Sequence, residues 1–164
     1  GGDIQVLIDR LRSQVGKLEI SPEELSGRNQ RSALFKTMFL AFRSAGAKDW
    51  HSNLTIALDH SGAQHRLQFH HIFPKAVLTK AGVISREADD ISNLAFIGGK
   101  TNRVISNKPP KEYLAFFATK SGEEGFRVQE IPLDPELLDT PAYKKFLEVR
   151  RERIANRLNL FISG

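Results

Sequence analysis

The stretch "QFHHIFPKAVL" (residues 68–78) decides how the rest of the chain is read. Two histidines stand side by side and are followed at once by Ile72, Phe73 and Pro74. Neighbouring side chains on a strand point to opposite faces, so His70 and His71 make an awkward pair for a plain core. They are either ordinary packing or half of a reaction centre.

The flanking pattern favours a strand. "HRLQFHHIF" (65–73) alternates, with Leu67 and Phe69 on one face, and Pro74 ends any pairing. "KAVLTKAG" reads as a short helix or loop and "SREADD" as a capped turn, before a second strand at "NLAFI" (93–97). Gly98-Gly99 makes a turn, and Lys100 to Ser106 fits one or two helical turns ahead of Pro109. The middle third is therefore predicted as strand, loop, strand, turn, helix.

Helices are predicted on both sides. Ile4, Leu7, Ile8, Leu11, Val15 and Leu18 recur at helical spacing. "SPEE" offers Ser21 as cap, Pro22 as first helical residue and Glu24 at the capping-box position. From Arg28 to Ala45 a helix carries Leu34, Phe35, Met38, Phe39 and Phe42 on one face and Arg28, Arg31, Lys36 and Arg43 on the other, with Gly46 to end it. "LTIAL" (54–58) fits a short strand or a helical turn, and "DHSG" (59–62) is turn-like. Lys111 to Lys120 is amphipathic, "SGEEG" is a polar loop, and "RVQEIPLDPELLDTP" (127–141) reads as an irregular connection. Thr140-Pro141 then caps a long final helix with the stripe Phe146, Leu147, Ile154, Leu158 and Phe161.

Composition bounds the function classes. The 164 residues contain no cysteine, which excludes disulfides and Cys-based zinc sites. No apolar run reaches the roughly 18 residues of a membrane span, so a cytoplasmic protein without membrane partners is expected. A net charge of +5 and a pI near 9.6 favour polyanionic partners. Gly1-Gly2, with no initiator Met, reads as the start of a fragment of something larger.

Four residues form a constellation: His70 and His71 ending the first strand, Asn93 opening the second, and Asn102 on the helix after the turn. A hairpin followed by a helix brings all four to one cleft. "HHIFP", "NLAFI" and "TNRVISNKPP" in that order resemble the HNH, or ββα-metal, nuclease motif, and more narrowly the C-terminal nuclease region of GmrSD-like modification-dependent restriction proteins. The nuclease lobe of RNA-guided CRISPR effectors shares the order and a similar Asn-to-Asn spacing. The resemblance covers about residues 65–118.

It implies an α+β fold, a small ββα-metal core embedded in a mostly helical domain. Residues 1–64 would pack on the core, 65–118 would form it, and 119–164 would supply a connecting loop and a basic C-terminal helix. His71 would be the general base and Asn93 would orient it, while His70 and Asn102 would hold one divalent metal ion. Asp is commoner than His at the position of His70, and an imidazole there suits Mn, Ni or Zn better than Mg. The residue types fit the chemistry. A histidine takes a water's proton near neutral pH, and an Asn carbonyl accepting from its ring fixes the tautomer.

Lys100, Arg103 and Lys108 lie where they can hold phosphates. The last helix adds Lys144, Lys145, Arg150, Arg151, Arg153 and Arg157 against only Glu148 and Glu152, a face suited to DNA, with Arg150, Arg151 and Arg153 as the expected contacts, or simply to solvent. The expected function is metal-dependent nicking of DNA in a restriction or anti-phage setting, with an upstream NTP-using or DNA-sensing module. Alternatives are a nucleic-acid-binding module with an inactive site and an RNase or toxin-type nuclease. His51, His60 and His65 lack such partners and read as surface or turn residues. Asn107 reads as a turn brace, and Trp50, Tyr113, Phe116 and Phe117 as core.

Overall fold

The computed structural model describes residues 2–15, 19–56, 58–59 and 66–164. Leu18, His60 and His65, singled out above, lie outside them. The chain is mostly helical and carries small two-stranded antiparallel sheets.

The N-terminal part holds helices α1 (Gly2–Val15), α2 (Pro22–Leu25) and α3 (Ala33–Ser44). At the start of α2 the Ser21 amide donates to the Glu24 carboxylate at 2.8 Å, the reciprocal half of the capping box. The third helix begins later than Arg28 because Ser32 caps it, its hydroxyl accepting from the Leu34 amide. It ends as expected at Gly46, whose φ of 89° lets the Ala47 amide reach back to the Phe42 carbonyl at 2.9 Å. Its burial is wider than one stripe. Thr37, Leu40 and Ala41 are buried along with the predicted aromatic face.

The predicted strand 65–73 is divided between two partners. Strand β1 (Leu58–Asp59) pairs with β2 (Arg66–Leu67), and β3 (His70–His71) pairs with β4 (Leu94–Ala95). Phe69, between β2 and β3, packs edge-on against Phe35 with ring centroids 5.0 Å apart, turning the chain from one partner to the next. In β3–β4, His70 lies opposite Ala95 and His71 opposite Leu94. Helices α4 (Lys75–Lys80) and α5 (Ser85–Ala88) fill the connection, and α6 (Gly99–Ile105) follows β4 directly. Helices α7 (Pro110–Ser121), α8 (Glu124–Arg127) and α9 (Tyr143–Ser163) complete the chain. No helix among the described residues is long and apolar enough to cross a membrane.

A ladder of two residue pairs cannot hold itself in water, so its stability is borrowed from its surroundings. Phe96, just past β4, sits among Phe35, Phe39 and Phe42 of α3 at centroid distances of 4.9, 5.4 and 6.0 Å. The buried side chain of Gln129 acts as a surrogate strand. Its oxygen accepts from the Phe96 amide at 2.9 Å and its nitrogen donates to the Phe96 carbonyl at 3.1 Å. Trp50, Tyr113 and Phe117 are buried as expected, whereas Phe116 is exposed.

The last helix corrects an expectation. Arg150 was read as a DNA contact, but it is 0% exposed. Its guanidinium donates to the carbonyls of Ser92 and Leu94, both at 2.8 Å, and to that of Gln129 at 3.0 Å. Burial pushes its pKa down to about 9, against the opposing pull of Glu130, Tyr113 and Asp90, so it stays charged at neutral pH. Arg151 is likewise committed, donating at 2.7 Å to Asp90, itself 2% exposed. Arg157 clasps Glu130 at 2.7 Å. Arg153 alone of the three proposed contacts is exposed, with Asp134 at 4.0 Å. The helix is basic chiefly because its arginines hold loops in place.

Replacing Arg150 by Met strands three buried carbonyls and should cost about 3–5 kcal/mol of stability. Arg153→Gln should stay within about 0.5 kcal/mol of the parent. Urea unfolding followed by circular dichroism distinguishes them; equal midpoints would mean that Arg150 is not the anchor described.

Candidate active site

The backbone after His71 is fixed at every polar group. The Ile72 amide donates to the Asn93 carbonyl at 2.7 Å, and the Ile72 carbonyl accepts from the buried Tyr113 hydroxyl. The Phe73 amide donates to Asn93 Oδ1 at 2.8 Å, and its carbonyl accepts from Asn93 Nδ2 at 3.1 Å. Asn93 Nδ2 also donates to the Ala88 carbonyl at 3.0 Å. Asn93 is thus 0% exposed with all its bonds to main chain. This differs from the expected bond between its carbonyl and the imidazole. A short side-chain amide so close to the turn satisfies buried backbone groups first, since each one left unpaired is costly. Its hold on His71 runs through the backbone.

The ring of His71 has another partner. Nε2 lies 2.8 Å from Asp89 Oδ1, and Lys75 Nζ donates to Asp89 Oδ2 at 3.1 Å. Burial raises the Asp89 carboxyl, but the hydrogen bonds from His71 and Lys75 outweigh it and hold the group below its ordinary range. Asp89 is therefore a carboxylate at neutral pH, and its oxygen can only accept. His71 and Asp89 keep side-chain exposures of 26% and 32%, so the pair is reachable from solvent.

His70 takes the opposite direction, as alternation along a strand demands. Burial and the neighbouring His71 push its pKa down, while Asp49 pulls it up. Asp49 ties the strand region to α6. It accepts from the Gly98 amide at 2.8 Å and from the Thr101 hydroxyl at 2.7 Å, and also gathers the amides of His51 and Ser52. Asn102 follows Thr101 on the same helix and is half-buried. Among the described residues, neither His70 nor the Asn102 amide has a side-chain hydrogen bond.

No three His, Cys, Asp or Glu side chains among the described residues gather into a metal cage. A divalent ion here would take one imidazole and one amide oxygen, leaving its other positions to water and phosphate. Two polar side chains without a hydrogen-bond partner among the described residues, one a histidine whose pKa is lowered by burial, fit such a partial ligand set.

Lys100, Arg103 and Lys108 are exposed and make no ion pair among the described residues, as phosphate contacts require. Asp89 and Asp49 were missed in the sequence. The first is the penultimate residue of "SREADD" (85–90), where an acidic pair between the histidines and Asn93 was the available signal. The second precedes Trp50 in a segment with no readable period.

No protein-family model and no solved structure matches the chain. Over 52 residues, 32% of its length, the chain is 38% identical to an uncharacterized protein of Methanocaldococcus jannaschii, of which the match spans 9%.

The titration of these groups has one sign. The lowered pKa of His70 contributes stability that is complete above its ordinary 6.5 and is lost as pH falls through the depressed value. Asp49 and Asp89 contribute likewise above their ordinary 3.8. In chelator, Tm should fall from about pH 7 to pH 5 through His70, and further below about pH 4 through the carboxylates. His70→Asn should flatten the first phase only. A wild-type Tm that rises on acidification to pH 5 would contradict the neutral imidazole.

Proposed function

We propose that the chain is a divalent-metal-dependent endonuclease of the ββα-metal (HNH) kind that nicks DNA, serving restriction or anti-phage defence. The observation that carries this reading is the unequal treatment of two adjacent histidines. His71 is braced through its ring and its backbone, as a group that must move a proton in fixed geometry needs to be. His70, next to it, is turned away and kept neutral, as a ligand needs to be. The order β3, β4, α6 supports the same reading, with His70 and His71 on the first strand and Asn102 on the helix.

In this reading His71 takes the proton of the attacking water. His70 and Asn102 would hold the ion, which when bound polarises the phosphate and stabilises the departing 3′ oxygen. Lys100, Arg103 and Lys108 grip neighbouring phosphates, so binding is sequence-tolerant and falls with salt. The arginines of α9 have no part in this, apart from exposed Arg153.

His71→Ala should lose about 10²–10⁴-fold in plasmid nicking with Mn, while keeping its affinity for DNA in a gel shift. His70→Ala and Asn102→Ala should weaken Mn binding and nicking together. Gln at Lys100, Arg103 and Lys108 should flatten the slope of log K against log salt by about 0.9 per lost phosphate contact. Cleavage of RNA but not of plasmid would make the protein a ribonuclease on the same site. Binding without cleavage of either would reduce it to a recruiting module.

A further inference from the structure

We infer that Asp89, itself oriented by Lys75, is a positioning residue that fixes His71 in the Nε2–H tautomer and so makes Nδ1 the nitrogen that accepts the water's proton. This deepens the nuclease reading and rests on it for the catalytic consequence, though the tautomer itself does not.

A charged carboxylate has no proton to give, so the 2.8 Å contact between Asp89 Oδ1 and His71 Nε2 requires that Nε2 carry the hydrogen. A neutral imidazole then leaves Nδ1 unprotonated. Asp89 cannot rotate freely to change this. Its other oxygen is occupied by Lys75 Nζ at 3.1 Å, and it stands at the C-terminal end of α5, its amide bonded to the Ser85 carbonyl at 2.9 Å. The ring's other constraint, the backbone locked by Asn93 and Tyr113, sets where the imidazole starts but not which nitrogen is protonated. Among the described residues, only Asp89 sets that. When His71 takes a proton, the same carboxylate faces the resulting imidazolium and stabilises it, and the proton remains on Nδ1 until it passes to solvent.

Lys75 makes the proposal unusually testable. In Asp89→Asn the amide must choose an orientation. Lys75 can only donate, so it claims the amide oxygen and turns the NH₂ group toward His71. The ring must then accept at Nε2 and carry its hydrogen on Nδ1, the wrong tautomer for a base at Nδ1. A second change, Lys75→Met, removes that claim and lets the amide oxygen turn back to His71.

Long-range proton–nitrogen NMR correlations of the metal-free protein report the tautomer without reference to activity. The expected results are Nε2–H in the wild type, Nδ1–H in Asp89→Asn, and a return to Nε2–H in Lys75→Met/Asp89→Asn. In nicking assays Asp89→Asn should lose about 10²–10⁴-fold in kcat with KM little changed. Asp89→Ala, which only frees the ring, should lose less, and the double variant should recover part of the loss. An unchanged tautomer in Asp89→Asn, or no recovery in the double variant, overturns the proposal. A loss of activity with the tautomer unchanged also overturns it and makes Asp89 a structural residue. A tautomer switch in a protein that cuts neither DNA nor RNA supports the assignment and overturns the nuclease reading alone.

Discussion

The guanidinium of Arg150 is the interaction on which the candidate site depends. Three main-chain carbonyls converge on it: Ser92 in the turn before β4, Leu94 at the start of β4, and Gln129 in the connection before α9. A two-pair ladder has too few bonds to set its own position, and buried carbonyls without donors would drive it apart. One long side chain ending in a planar donor set, charged at neutral pH, solves both problems together. Gln129, whose own carbonyl is held by Arg150, then completes the outer edge of the strand at Phe96. Asn93, in the turn between two of the carbonyls bound by Arg150, transmits that fixed position to the residues after His71. The position of His71 therefore depends on a buried side chain of α9, far from it in sequence.

The helices were legible in the sequence because their signals are local. Ser21, Gly46 and the periodic Phe residues of α3 needed no partner to be read, whereas the cap at Ser32 was hidden inside a run that looked helical from Arg28. The strands were legible as existing but not in extent. "HRLQFHHIF" alternates through one continuous run, yet it serves two ladders, because Phe69 finds a better surface on Phe35 than in a sheet. "NLAFI" stops pairing after two residues because a glutamine side chain distant in sequence supplies the next bonds. Nothing within five residues of sequence announces that.

The site was legible in its residue types and less so in their bonds. His70, His71, Asn93 and Asn102 stood out by kind and order, while Asp89 did not, since an acid at a helix end is usually a solvated cap. The basic last helix misled for a physical reason. Charge counted along a sequence does not separate an arginine in water from one spent within the fold; Arg150 is spent on buried carbonyls, Arg151 on Asp90 and Arg157 on Glu130. The proposed phosphate contacts consequently narrow to Lys100, Arg103 and Lys108 around α6, with the exposed Arg28, Arg31, Lys36 and Arg43 as further basic surface of the N-terminal region.

In the proposed site the two histidines divide the labour, one as ligand and the other as base. Anomalous diffraction from crystals grown with Mn and a short DNA duplex tests it most directly. The expected map holds one strong peak per site, coordinated by His70 and Asn102, with His71 uncoordinated and still bonded to Asp89. A peak ligated by His71, or Mn bound away from α6, would contradict the division.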